Sequence, residues 1–165
     1  MKVTFTRTRV RGYSVTVEGP EIDLAVMDPA PGYDDRLPHD AAHFIVENEL
    51  GIAGGIFGQL AAGGTANTFR SDDLKKPRKK KRQGRAMAQA NREDMLLSEH
   101  AVYAAQSPWE KREIIPDTGI SHADLDRMIC AFEDFAGRWQ KVPVGGSISL
   151  DWKPSKKPRA RSRQV

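Results

Sequence analysis

The sequence predicts a single α+β domain, and three observations carry that prediction. Residues 2–27 alternate apolar and polar side chains in three short runs, as strands with one buried face do. Residues 147–152 resume the alternation after Gly145-Gly146. Between these stretches the periodic segments follow the spacing of helices. The expected architecture is a small, mainly antiparallel sheet packed by four or five helices.

Each element has its own signal. Val3 and Phe5 face one way and Thr4 and Thr6 the other; Tyr13, Val15 and Val17 share a face, and Arg11-Gly12 turns the chain between the two runs, which makes a hairpin. Ile22, Leu24 and Val26 form a third strand after Gly19-Pro20. Asp28-Pro29-Ala30-Pro31-Gly32-Tyr33 reads as a loop, because prolines interrupt regular structure. A helix starts near Pro38, at the first helical position, where a missing N–H costs nothing. It ends near Leu50, stopped by Gly51.

A short helical piece over residues 56–62 lies between Gly54-Gly55 and Gly63-Gly64, and residues 85–105 have good helix propensity. Two capping boxes follow, Ser107-Pro108-Trp109-Glu110 and Ser121-His122-Ala123-Asp124. The second opens an amphipathic helix with Leu125, Met128, Ile129, Phe132, Phe135 and Trp139 on its apolar side. Cys130, on the same helix, reads as a buried, inert thiol. Trp109, Trp139 and Trp152 read as core residues. Ile148, Leu150 and Trp152 share one face of a last strand that joins the N-terminal sheet.

The 165 residues fit one domain, residues 1–152, with a basic linker at 71–84 and a basic tail at 153–165 that is expected to stay disordered. The net charge of +4 conceals an uneven distribution. Lys75, Lys76, Arg78, Lys79, Lys80, Lys81, Arg82 and Arg85 give +8 without an acid, and residues 153–163 give +6 without one, which leaves −10 on the remainder. An acidic body thus carries two basic segments suited to nucleic acid, to an acidic partner protein, or to its own body. The 75–85 run has no aromatic residue, so phosphate contacts are expected of it and base stacking is not.

A single cysteine excludes an intrachain disulfide. The N-terminus lacks the apolar block of a signal peptide, and no run reaches the ~18–20 apolar residues of a membrane helix. These features point to a cytoplasmic protein without a membrane partner. Gly58-Gln59-Leu60-Ala61-Ala62-Gly63-Gly64-Thr65 has the glycine spacing of a phosphate-binding loop, but Gly64 replaces the lysine, so these glycines are read as packing and turn residues.

The chemistry concentrates on the helix after Pro38. With ~100° per residue and His39 at zero, His43 falls near ~40°, Glu47 near ~80° and Asp40 near ~100°. One face therefore carries two imidazoles and two carboxylates, at the edge of the core beside Val46 and Leu50. Histidines at i and i+4 can share one ion, so His39, His43 and Glu47 are candidate ligands for zinc or another divalent metal, and Asp40 and Glu47 are candidate catalytic carboxylates of hydrolase-like chemistry. His39 and Glu47 stand about 12 Å apart along the axis, so another ligand is expected from elsewhere, with His100, His122, Asp34 and Asp35 as candidates. Metal-free acid/base chemistry and a purely structural role use the same stripe. The rival reading is a non-enzymatic binding protein that works through its basic segments.

Two resemblances attach to these residues. His39-Asp40-Ala41-Ala42-His43 resembles the His-Glu-x-x-His motif of zincin metalloproteases over five residues, with an aspartate one methylene shorter than that family's catalytic glutamate. More broadly, residues 27–33, Leu37-Pro38-His39-Asp40-Ala41-Ala42-His43, the glycine-rich stretch from Glu49 to Gly63 and the closing segment 139–152 resemble a group of small bacterial proteins of unassigned function. That likeness spans most of the chain outside the basic linker and tail. It implies a bacterial cytosolic protein and brings no activity or catalytic residue with it.

Overall fold

The computed structural model describes residues 1–64, 69–70, 91–111 and 119–154. In chain order these form β1 (Lys2–Arg9), β2 (Gly12–Gly19), β3 (Ile22–Ala30), α1 (His39–Leu50), α2 (Ile56–Ala61), α3 (Arg92–Trp109), α4 (His122–Trp139) and β4 (Ser147–Asp151). The strands make one antiparallel sheet in the order β3-β2-β1-β4, so the fold is α+β, and the last strand closes against the first. Phe5 lies opposite Val15 on one side and Ile148 on the other.

Alternation decides which face the helices cover. Val3, Phe5, Tyr13, Val15 and Val17 are fully buried, whereas Thr4 and Ser149 meet on the other face through their hydroxyls at 2.8 Å. Phe5 packs edge-on against Phe44 of α1 and Phe135 of α4, and Tyr13 meets Trp139 of α4. Such aromatic pairs add to the burial of large apolar area, the main force assembling the layers. The third helix, α3, joins through Trp109 against Phe132.

The third strand departs from the expected pattern. Ile22 is buried, but Ala25 and Met27 rather than Leu24 and Val26 follow it inward. The pairing explains this: Gly19 lies opposite Ile22 and Val17 opposite Ala25, so β3 holds one extra residue there. A bulge reverses the inside–outside parity of the residues after it, here as far as Met27, where a second irregularity brings Ala30 inward. The strand also continues through Pro29 to Ala30, where a loop was expected. Pro29 is tolerated because β3 is an edge strand, where a missing donor breaks no central ladder.

Helix boundaries bring two further corrections. Pro38 occupies the cap position of α1 rather than the first turn, and Gly51 ends the helix in the left-handed conformation, φ 63°, as expected of glycine. The Ser107 box does not start a helix. Ser107 and Trp109 are buried in the last turn of α3 with Pro108 between them, continuing the buried face set by Ala101, Val102 and Ala105, with Trp109 packed on Phe132.

The Ser121 box does cap: its hydroxyl accepts from the Asp124 N–H at 3.1 Å. Ser121→Ala should cost about 1 kcal/mol of stability, read by urea denaturation, with no effect on the histidine cluster described below.

Cys130 is exposed, not buried. On α4 it turns about 200° away from Met128, and the buried stripe of Met128, Phe132, Phe135 and Trp139 faces the other way. No helix among the described residues is long and apolar enough to cross a membrane.

Candidate metal centre

The site begins with the entry to α1. Gly32, at φ 67°, accepts the His39 N–H on its carbonyl at 3.1 Å, and a Cβ at Gly32 would press on the His39 side chain. Tyr13 fixes the first turn from below. Its hydroxyl lies 2.6 Å from the Pro31 carbonyl and in short contact with the Asp40 carboxyl. The hydroxyl thus faces two acceptors with its one proton. Burial raises the Asp40 carboxyl above its ordinary value, against the opposing pull of the Tyr13 hydrogen bond and the His39 charge. Asp40 is therefore an anchor of the helix start, turned into the core and away from the ring nitrogens.

The two histidines share an edge of α1 but not an environment. His39 is exposed and His43 is 2% exposed. Their Nε2 atoms stand 3.3 Å apart. The Nε2 of His43 also lies 3.5 Å from the Oε2 of Glu99, which reaches across from α3. One ligand atom each from His39, His43 and Glu99 falls within 4.8 Å of the others. Burial, then the charge of His39, lowers the His43 pKa to about 4, so its ring is neutral near pH 7, as a metal ligand must be.

Behind His43 runs a buried chain of polar groups. Its Nδ1 lies 2.8 Å from the Ser98 hydroxyl, and that hydroxyl donates to Glu47 Oε1 at 2.9 Å. Ser98 has one proton to give, so while it donates to Glu47 its oxygen is free to accept from His43 Nδ1. The other ring nitrogen, Nε2, is the one that faces His39 and Glu99. Glu47 is itself held by the backbone N–H groups of Ile56 at 2.9 Å and Phe57 at 2.8 Å, at the start of α2. Its burial, 0% exposed, raises the carboxyl to about 7, and these donors pull the other way. Gly55 is required here, since a Cβ would fall on the Glu47 carboxylate.

The expected residues are thus divided. The structure brings His39 and His43 together. It does not bring Glu47 or Asp40 to them: Glu47 faces Ser98 and the α2 amides, and Asp40 faces Tyr13. Of the other candidate ligands, Asp34 accepts from the N–H groups of Arg36 and Leu37, Asp35 accepts from the Tyr33 hydroxyl, and His100 and His122 are exposed on α3 and at the start of α4. None joins the cluster.

Glu99 takes that place and was missed, as was Ser98. The available signal was the small, buried stripe Ser98, Ala101, Val102 and Ala105, which lets α3 approach another helix closely and leaves Glu99 on its rim. Lys75, Lys76, Arg78, Lys79, Lys80, Lys81 and Arg82, and the tail from residue 155 onward, lie outside the described residues.

A cleft of about 170 Å³ opens elsewhere, between α1, α4 and β4. Phe44, Asn48, Asp134, Arg138 and Asp151 line it, and none of the three clustered residues does. It lies on a different side of α1, and the convergence of ligand atoms, not concavity, marks the chemical site. Comparison with models of protein families, with curated proteins and with solved structures gave no match.

Proposed function

We propose that His39, His43 and Glu99 bind a divalent metal and that the protein carries out hydrolase-like chemistry there. The observation that carries the reading is spacing. Two ligands each ~2.0–2.1 Å from a tetrahedral zinc stand about 3.3–3.4 Å apart, and the two edges that meet at His43 Nε2 measure 3.3 and 3.5 Å. The third edge closes by rotation of Glu99, an exposed side chain.

Two imidazoles and one carboxylate are the donor set of catalytic zinc sites, which keep a fourth position for water, and they also suit other divalent transition metals. A divalent metal held by His39, His43 and Glu99 would supply Lewis-acid chemistry there. The chain's own part is to present a neutral His43, an exposed His39–Glu99 rim, and a buried wall behind the ring.

Metal content of the purified, tag-free protein, measured by elemental analysis, tests the reading. The expected result is near-stoichiometric divalent metal in the parent and its loss in His39→Ala/His43→Ala, with circular dichroism unchanged. Equal metal binding by both proteins refutes the site. A parent that binds no divalent metal when titrated overturns the reading and moves the weight to salt-dependent binding by segments 75–85 and 153–163.

A further inference from the structure

We infer that Ser98 and Glu47 are positioning residues that hold His43 as the Nδ1–H tautomer and so aim the bare Nε2 at His39 and Glu99. The inference rests on the metal reading of that cluster for its purpose, but its own claim concerns a proton on a named atom. The arrangement is directional. The amides of Ile56 and Phe57 donate to one oxygen each of Glu47, so above its raised pKa of about 7 the ionised carboxylate only accepts. Glu47 Oε1 takes the Ser98 proton at 2.9 Å, and the Ser98 oxygen, its own proton committed, takes the one on His43 Nδ1 at 2.8 Å. Every group in the chain is buried: Glu47 at 0%, Ser98 and His43 at 2% exposure. Water is therefore excluded as a substitute partner.

A purely structural pair of histidines needs none of this. Imidazole in water favours the Nε2–H tautomer, and a ring used only for packing would leave its outer nitrogen protonated toward the Glu99 carboxylate 3.5 Å away. Here the fold protonates the inner nitrogen and sets a lone pair beside a carboxylate and a second imidazole. That juxtaposition is unfavourable until a cation or a shared proton sits between them. A histidine ligand fixed through its second nitrogen by a hydroxyl and a carboxylate is the usual outer shell of a metal site, and loss of such a shell typically weakens metal binding 10–100-fold. The α1–α2 turn thereby acquires a role, because its amides are the far end of the chain that orients the ring.

The test is the tautomer of His43 in metal-free, ¹⁵N-labelled protein above the Glu47 pKa of about 7, read from long-range ¹H–¹⁵N correlations of the imidazole, in the wild type, Ser98→Ala and Ser98→Thr. The expected result is Nδ1–H in the wild type, a shift toward Nε2–H in Ser98→Ala, and return to Nδ1–H in Ser98→Thr, which keeps the hydroxyl. Zinc affinity by chelator competition should fall 10–100-fold in Ser98→Ala and recover in Ser98→Thr. An Nε2–H ring in the wild type overturns the inference, as does a Ser98→Ala protein with the wild-type tautomer. The measurement needs no metal, so a wild type that binds no zinc but shows the Nδ1–H dependence supports the positioning role while refuting the metal reading.

Discussion

Glu47→Ala should lower folding stability by about 3–5 kcal/mol, although the side chain belongs to the most polar part of the core. The part-buried N–H of Ile56, the buried N–H of Phe57 and the buried Ser98 hydroxyl all donate to its carboxylate. Removing the acceptor strands buried donors, at roughly 1–3 kcal/mol for each that finds no other partner. Urea denaturation monitored by tryptophan fluorescence measures the loss, and a cost below about 1 kcal/mol would show that the donors find new acceptors.

The same residue predicts a pH dependence. Burial raises its carboxyl from 4.5 to about 7 in the folded chain. A group whose folded pKa is raised gives stability that is fully present below the unfolded value and is lost as pH rises through the folded one. The stability difference between the wild type and Glu47→Gln should therefore fall as pH rises from 4.5 to 7. His43, lowered from 6.5 to about 4 by burial and the charge of His39, titrates in the opposite sense, and comparing the two proteins at each pH isolates the change made at Glu47. A flat difference across this range contradicts the raised carboxyl.

The second large effect is expected at Trp139. Trp139→Ala should cost about 3–5 kcal/mol, the range for truncating a buried aromatic ring, through lost burial and the cavity left behind. The ring is 0% exposed. It lies over Phe135 at 6.0 Å, meets Tyr13 edge-on at 6.3 Å, and carries the Arg7 guanidinium 5.0 Å above it. Its indole N–H also donates to the Asp34 carbonyl at 3.3 Å, which ties α4 to the loop that launches α1. A thermal melt should show a fall of about 6–20 °C at this chain length. Because Tyr13 anchors Asp40 beside His39, loss of the ring should also loosen the N-terminal turn of α1, which faster amide exchange at Ala41 and Ala42 would report.

Much of the architecture is written locally. The alternation of Val3, Phe5, Tyr13, Val15 and Val17 determines a sheet with one buried face, and the stripe of Met128, Phe132, Phe135 and Trp139 determines a helix to cover it. Gly51 marks the end of α1 and Ser121 the start of α4, because a left-handed cap and a side-chain N-cap depend on one residue each. Where local rules failed, a neighbour overrode them. The bulge opposite Val17 and Gly19 moved Ala25 and Met27 inward, and the buried face of α3 carried the helix past Ser107 and Pro108.

The candidate site divides along the same line. Helical spacing alone put His39 and His43 on one face, because i and i+4 are neighbours in any α-helix. It grouped Glu47 and Asp40 with them by angle, since a wheel records azimuth and not what each side chain meets. Only the tertiary structure could send Glu47 to the amides of α2, send Asp40 to Tyr13, and bring Glu99 from α3, fifty-odd residues away, to 3.5 Å from His43. Those outcomes depend on which helix packs on which. That is settled by long-range burial and by the need of every buried polar group for a partner, and neither can be read from spacing along one chain segment.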